Sequence, residues 1–141
     1  MTALDPDEAR RRFAAARVAR LATIDPQGRP HLVPFVFVLD QDTVYSPVDD
    51  KPKRTTRLQR LRNIEANPNA TVLVDHYDED WPQVWWVRAR GRGRVVDRGT
   101  EEFDRADALL QAKYPQYRVE PASGPMIAIE VDDWLGWAYT S

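Results

Sequence analysis

The stretch Val84-Trp85-Trp86-Val87-Arg88-Ala89-Arg90-Gly91-Arg92-Gly93-Arg94-Val95-Val96 repeats with a period of two. Trp86, Arg88, Arg90, Arg92 and Arg94 share one face, while Trp85, Val87, Ala89, Gly91, Gly93 and Val95 share the other. Successive strand side chains point to opposite sides of a sheet, so this is one long strand. Gly91 and Gly93 on its apolar face predict strong curvature or a close backbone approach, as where a barrel closes. The arginine face has two readings. It is a second anion surface or, with more weight, a solvated face balanced by acids such as Asp75 on a neighbouring strand.

Upstream, an acidic loop at Asp78-Glu79-Asp80-Trp81-Pro82 leads back to a strand over Ala70 to Tyr77. Before that, a helix over about 54–66 stops at Asn67-Pro68, because the residue preceding a proline disfavours helical backbone. The first third holds a short helix over 5–16 and a strand from Val18 to Ile24. A turn at Asp25-Pro26-Gln27-Gly28 then leads into a strand from His31 to Leu39. Pro34 inside that strand marks an edge, a bulge, or a place where something other than a strand approaches. Thr43 to Ser46 is a further strand. Downstream, Thr100 opens a third helix with Phe103, Ala106 and Leu110 as its apolar stripe, and Tyr114-Pro115 closes it. Residues 116–125 read as a loop, Met126 to Val131 as a strand, and Trp134 to Tyr139 as its continuation after a bend. The expected fold is mainly β, with about six mostly antiparallel strands, three short helices and a barrel rather than an open sheet. All of 1–141 forms one domain.

Composition narrows the function. With no cysteine among 141 residues, disulfides, thiolate chemistry and the usual zinc sites are excluded. No metal site is expected, since neither His31 nor His76 has a second histidine or a cysteine at metal-binding spacing. No window approaches the roughly 18 apolar residues of a membrane span, and the reading is cytoplasmic. A formal charge of −2 argues against general nucleic-acid binding. Five Trp and five Tyr line a flat-ligand pocket or fill a core and a subunit interface.

The charge is unevenly placed. Lys51, Lys53, Arg54, Arg57, Arg60 and Arg62 carry six positive charges with no acid between them; removing them from a net −2 leaves −8 for the rest. This cluster sits at a strand-to-helix junction. A helix start favours anions through its unpaired N–H groups and its dipole, and Thr56 adds a hydroxyl there. Such runs are often solvated helix faces; the position at a helix start favours an anion site. No Gly-rich phosphate loop or nucleophile elbow is present, and no catalytic residue is assigned. An anion site among aromatics suits a cofactor that carries the chemistry itself. Its phosphate would lie on Lys51, Lys53, Arg54, Thr56, Arg57 and Arg60. Its flat ring would lie against Val33-Pro34-Phe35 and Ser46-Pro47. His76 is a further, weaker candidate for ligand contact.

The order of these segments resembles the split-barrel flavin and deazaflavin oxidoreductases related to pyridoxamine 5'-phosphate oxidase. The likeness runs from about Ala16 to Tyr139. It is carried by Gly28, Pro30 and Pro34 in a G-x-P-x-x-x-P pattern, by Arg62 to Pro68 as R-N-I-x-x-N-P, and by the long arginine strand. It implies an FMN-binding type of split barrel, a homodimer with cofactor at the subunit interface, and a small-molecule substrate. Trp85, Trp86, Trp134 and Trp137 would belong partly to that interface. The Lys51-Pro52-Lys53-Arg54 run resembles the branch that uses coenzyme F420, a deazaflavin with a longer anionic tail than FMN. Hydride transfer at the deazaflavin C5 follows from the resemblance, with Tyr45, Tyr77 or water as proton source. An FMN-dependent oxidase or reductase of the same fold is the alternative. A non-catalytic protein that shields an anionic ligand is a third reading.

Overall fold

The computed structural model describes residues 2–48 and 55–140, with the side chains of 55–58 left out. In chain order the elements are β1 (Thr2–Ala3), α1 (Pro6–Ala15), β2 (Ala19–Ile24), β3 (Pro30–Phe35), β4 (Val38–Asp40), β5 (Thr43–Pro47) and α2 (Thr55–Ala66). They continue with β6 (Asn69–His76), β7 (Trp85–Val96), α3 (Glu101–Lys113), α4 (Pro115–Val119) and β8 (Met126–Ala138). Seven strands pair in the order β3-β2-β6-β7-β8-β5-β4, and β1 adds to β8. Every pairing is antiparallel. The two ends of this order, β3 and β4, are joined by only Val36 and Phe37. The chain itself therefore brings the ends of the sheet together, and the sheet curls into a barrel.

The expected strand from His31 to Leu39 is broken at that junction, and Tyr114 is the reason. The Phe37 N–H donates to the Tyr114 hydroxyl (3.2 Å), which donates to the Phe37 carbonyl (3.0 Å) and reaches the Arg17 carbonyl at 2.9 Å. Lys113 Nζ donates to the Phe37 carbonyl (3.0 Å) and the Ala14 carbonyl (3.1 Å). Side chains at the end of α3 thus satisfy backbone groups that a ladder would otherwise take. Burial, reinforced by the Arg17 charge, lowers the Lys113 amine to about 8.

Alternation along β5 and β8 divides the apolar residues into two cores. Val44, Val48, Ile127 and Ile129 face the barrel interior with Phe13, Phe35 and Phe37. Tyr45, Met126 and Ala128 face α3, against Phe103, Ala106 and Leu110. The predicted stripe of α3 is the buried one.

The glycines of β7 act by absence of a side chain. A Cβ on Gly91 would lie 2.0 Å from the Glu130 carbonyl oxygen and 2.9 Å from the Val131 Cα. A Cβ on Gly93 would meet Ile64 Cγ2 at 2.9 Å. Gly91 thus lets β8 approach, and Gly93 lets α2 seat on the sheet. The register with β8 slips at Arg90/Gly91, where Asp132 is the extra residue. The expected bend at Asp132-Asp133 is this bulge, and β8 runs through it as one strand.

The expected element counts are corrected. Among the described residues eight strands and four α-helices replace about six and three, because β1 and β4 are two and three residues long and α4 (Pro115–Val119) overlaps the expected loop 116–125. The arginines of α1 are engaged within the fold. Arg12 donates to Glu8 at 2.6 Å and lies over the Trp85 ring (5.5 Å). Arg10 donates to Asp42 at 2.7 Å.

Candidate functional site

The site begins at the end of β5. Ser46 is 1% exposed, and among the described residues its hydroxyl has no hydrogen-bond partner. Buried polar groups are normally paired, since an unpaired one costs about 1–3 kcal/mol. Ser46 alternates with Tyr45, so its side chain lies on the barrel side with Val44 and Val48. Pro47 follows Tyr45 onto the other side. Just beyond, the Val48 N–H donates to the Pro125 carbonyl at 2.9 Å.

Lys51, Lys53 and Arg54 lie outside the described residues. Thr56 and Arg57 fall in the first turn of α2, with their side chains outside the description. The body of α2 is firmly placed. Asn63 donates to the Thr23 hydroxyl on β2 (3.1 Å) and accepts from Gln59 (2.7 Å). Ile64 is buried against Gly93. Arg60 is itself buried, 9% exposed, so it is part of the helix–barrel contact rather than a solvated face.

The structure separates the β3 residues. Val33 and Phe35 face the barrel core, while Pro34 is exposed on the outer side. Only one edge of β3 carries a strand, β2; among the described residues its other edge has no strand partner. That is the edge position the proline marked. Val33, Phe35 and Ser46 therefore share the barrel side, and Pro34 and Pro47 reach the site through backbone.

The tyrosines considered as proton sources are otherwise engaged. Tyr45, 3% exposed, donates to Glu102 on α3 at 2.6 Å. Burial first, and the Glu102 carboxylate second, hold its phenol above the ordinary value. Tyr77 is exposed and donates to Glu79 at 2.7 Å. His76 stacks on Trp85 (6.2 Å) and lies 4.0 Å from Asp78, half exposed.

Glu102 was not singled out by the sequence, yet it centres an ionic network. Arg94 grips it through two nitrogens at 2.8 and 2.6 Å and donates to Glu130 at 2.6 Å. The Arg94 hydrogen bonds pull the Glu102 carboxyl from 4.5 down to about 2. The pair's contribution to stability is therefore full above pH 4.5 and is lost as pH falls through about 2. Glu102→Gln is expected to lower stability by about 2 kcal/mol near neutrality and to flatten the acid limb of stability between these values. Denaturant melts at stepped pH check this; an unchanged acid limb would show that the network contributes nothing. This network accounts for Arg94 in the arginine row. Asp75 balances Arg20 (3.4 Å) rather than the row. Among the described residues Arg90 and Arg92 are exposed, while Arg88 is partly buried beside the Trp86 ring (5.8 Å).

Two grooves flank the β3–β4 junction. One, of about 410 Å³, is lined by Arg11, Arg12, Arg17, Arg20, His76 and Trp85 among others. Its arginines are committed: Arg11 and Arg12 to Glu8, Arg20 to Asp75, and Arg17 to the Lys113 carbonyl. The other, of about 370 Å³, is lined by Val36, Tyr114, Gln116, Tyr117, Glu120 and Pro121 with Ser123. It opens where β3 ends, on the α3 side of the sheet with Val36, Tyr114 and Tyr117. Its residues were hidden in sequence because α4 was read as loop.

Among the described residues no helix is long and apolar enough to cross a membrane. Comparison with curated protein sequences found no match. Solved structures of the same fold include a FAD-binding protein from Mesorhizobium loti (18% identity, TM-score 0.74, covering 96% of this chain and 95% of that one). A FAD-binding protein from Mycobacterium smegmatis is similar at 21% identity and TM-score 0.68, over 98% of this chain and 99% of that one. A haem-binding protein from Mycobacterium smegmatis matches at 18% identity and TM-score 0.75, over 95% of this chain and 54% of that one. The family model for pyridoxamine 5'-phosphate oxidase matches residues 5–138. With that match across the antiparallel barrel, the chain belongs to the pyridoxamine 5'-phosphate oxidase family of split barrels.

Proposed function

We propose that this chain is an oxidoreductase that uses coenzyme F420 to transfer hydride to an electrophilic small molecule. The observation that carries the cofactor reading is Ser46: a buried hydroxyl with no partner among the described residues, at the strand end that leads into the basic start of α2. A ligand with hydrogen-bonding ring atoms satisfies it. Val33 and Phe35 supply apolar contact beside it, and the free edge of β3 supplies backbone donors and acceptors. Lys51, Lys53, Arg54, Thr56 and Arg57 would hold the phosphate and the anionic tail, as the sequence pattern suggests. FMN is the second reading, supported by the flavin named for two structural relatives.

When bound, the deazaflavin supplies a two-electron hydride carrier. The chain's part is orientation and charge complementarity. With Tyr45 and Tyr77 committed to carboxylates, water is the proton source this reading favours. Ser46→Ala separates a ligand role from a structural one. Removing an unpaired buried hydroxyl leaves the cofactor-free fold as stable or slightly more so, while F420 affinity falls about tenfold, the equivalent of one hydrogen bond. Thermal melts and F420 titration read the two effects. A variant with lower stability and unchanged affinity would refute the assignment.

The working unit we propose is a homodimer built on the outer face of the sheet. One cross-strand row there runs Pro34, Arg20, Leu73, Arg88, Leu135. Leu73 and Leu135 are 36% and 41% exposed, and Leu32 nearby is 68% exposed. Arg88 has a buried Nε with no hydrogen-bond partner among the described residues, a donor that an acceptor across an interface would satisfy. Leu73→Glu is expected to shift the mass measured by light scattering from dimer to monomer. A wild-type monomer at assay concentration would contradict the dimer.

A further inference from the structure

We infer that the groove where the ends of α1 and β6 meet the starts of β2 and β7 binds a small organic monocarboxylate with an apolar body. This is a second site, independent of the cofactor reading. None of its lining residues is among those assigned to the cofactor, and only Arg20 stands in the row proposed for the dimer.

Its charges set the class. Arg11, Arg12, Arg17 and Arg20 line it together with one acid, Asp75. Glu8 takes both Arg11 and Arg12, and Asp75 takes Arg20 at 3.4 Å. Four guanidiniums therefore share two carboxylates, and two positive charges remain. Arg17 carries one of them outright. It donates to the Lys113 carbonyl at 2.8 Å and lies 4.8 Å from the Tyr114 ring centroid. Among the described residues no carboxylate pairs with it. A carbonyl and a ring face hold a guanidinium in place without neutralising it. The charge is felt next door: after burial, Arg17 is the second cause that lowers the Lys113 amine to about 8. An arginine held in place beforehand loses little freedom when it takes a carboxylate through its remaining donors.

Its floor sets the body. Val18 is 40% exposed, and Ala15, Ala16 and Val74 continue the apolar surface beside it. The Trp85 ring ends the groove, held against His76 (6.2 Å) and Arg12 (5.5 Å). A volume of about 410 Å³ suits one or two rings. A cation would face the arginine excess. A dianion would set its second charge against Asp75. A neutral molecule would leave Arg17 unanswered, and a monocarboxylate avoids all three.

Three probes with one ring system test this on the whole chain: 2-naphthoate, 2-naphthol and 2-naphthylmethylamine, a cation at neutral pH. Amide shifts of nitrogen-labelled protein report binding, and they are expected at Ala16, Val18 and Asp75. Naphthoate is expected to bind about tenfold tighter than naphthol, the equivalent of one hydrogen bond to a charged group, and the amine weakest. Added salt should narrow the gap between naphthoate and naphthol. Arg17→Met keeps an apolar stem and closes that gap by weakening naphthoate alone. Because Arg17 also touches α3, Val18→Glu is the second variant. It places a like charge on the exposed floor, leaves the α3 contacts intact and weakens naphthoate far more than naphthol. Equal affinities, tightest binding of the amine, a preference that survives both variants, or shifts that map elsewhere would each overturn the site. Displacement of naphthoate by F420 would merge the groove with the cofactor site and overturn its independence. Naphthoate binding without any F420 affinity would support the groove and remove only the cofactor reading.

Discussion

Gly91→Ala is expected to destabilise the protein by about 3 kcal/mol, at the upper end of what one added methyl costs in a packed interior. The new Cβ would sit 2.0 Å from the Glu130 carbonyl oxygen and 2.7 Å from its carbon. Both atoms belong to backbone in a paired strand, so relief requires β7 and β8 to separate at the bulge. Gly93→Ala provides the internal comparison. Its added Cβ meets only side-chain atoms of Ile64, the nearest at 2.9 Å, and a side chain can shift. The smaller loss is expected there, about 1–2 kcal/mol. Guanidinium melts of both variants check the order. Equal midpoints would mean that parting the strands at Gly91 costs no more than shifting the Ile64 side chain at Gly93.

That contrast shows what the sequence can and cannot say. The alternation of 84–96 and its two glycines announced a long, curved strand, and the strand is there from Trp85 to Val96. Periodicity also placed Phe103, Ala106 and Leu110 on the buried stripe of α3. The break at Val36 and Phe37 was not legible, because its cause is Tyr114, 77 residues away along the chain. Local pattern reads local preference; it does not see which distant hydroxyl will take a backbone N–H. The same limit hid Glu102, whose importance comes from Arg94 and Tyr45 on other strands.

The second large effect concerns the cofactor. Lys53→Ala and Arg57→Ala are each expected to weaken F420 binding by about 1–3 kcal/mol, the range for a hydrogen bond to a charged group. That is roughly 5- to 150-fold in Kd. The effect should shrink with added salt, because exposed charges are screened beyond about 8–10 Å. Variants that bind F420 as the wild type does would move the anion site away from α2. Here the sequence was informative through composition alone: six cations in twelve residues of an otherwise acidic chain. What it could not show was how the site is framed. Ser46 was expected beside the ring, but that its hydroxyl is buried with no partner among the described residues is visible only in the fold. Arg60 was expected on the phosphate, and its burial in α2 is visible only in the fold.

The central claim is that this split barrel takes a deazaflavin in the space between β3, β5 and the start of α2. The most direct measurement is a fluorescence titration of the purified protein with F420 and, separately, with FMN at the same ionic strength. The account predicts tight, saturable F420 binding that exceeds FMN binding, with Ser46→Ala and Arg57→Ala both weakening it. Preference for FMN would contradict the choice of cofactor while keeping the site. Binding of neither would contradict the site itself.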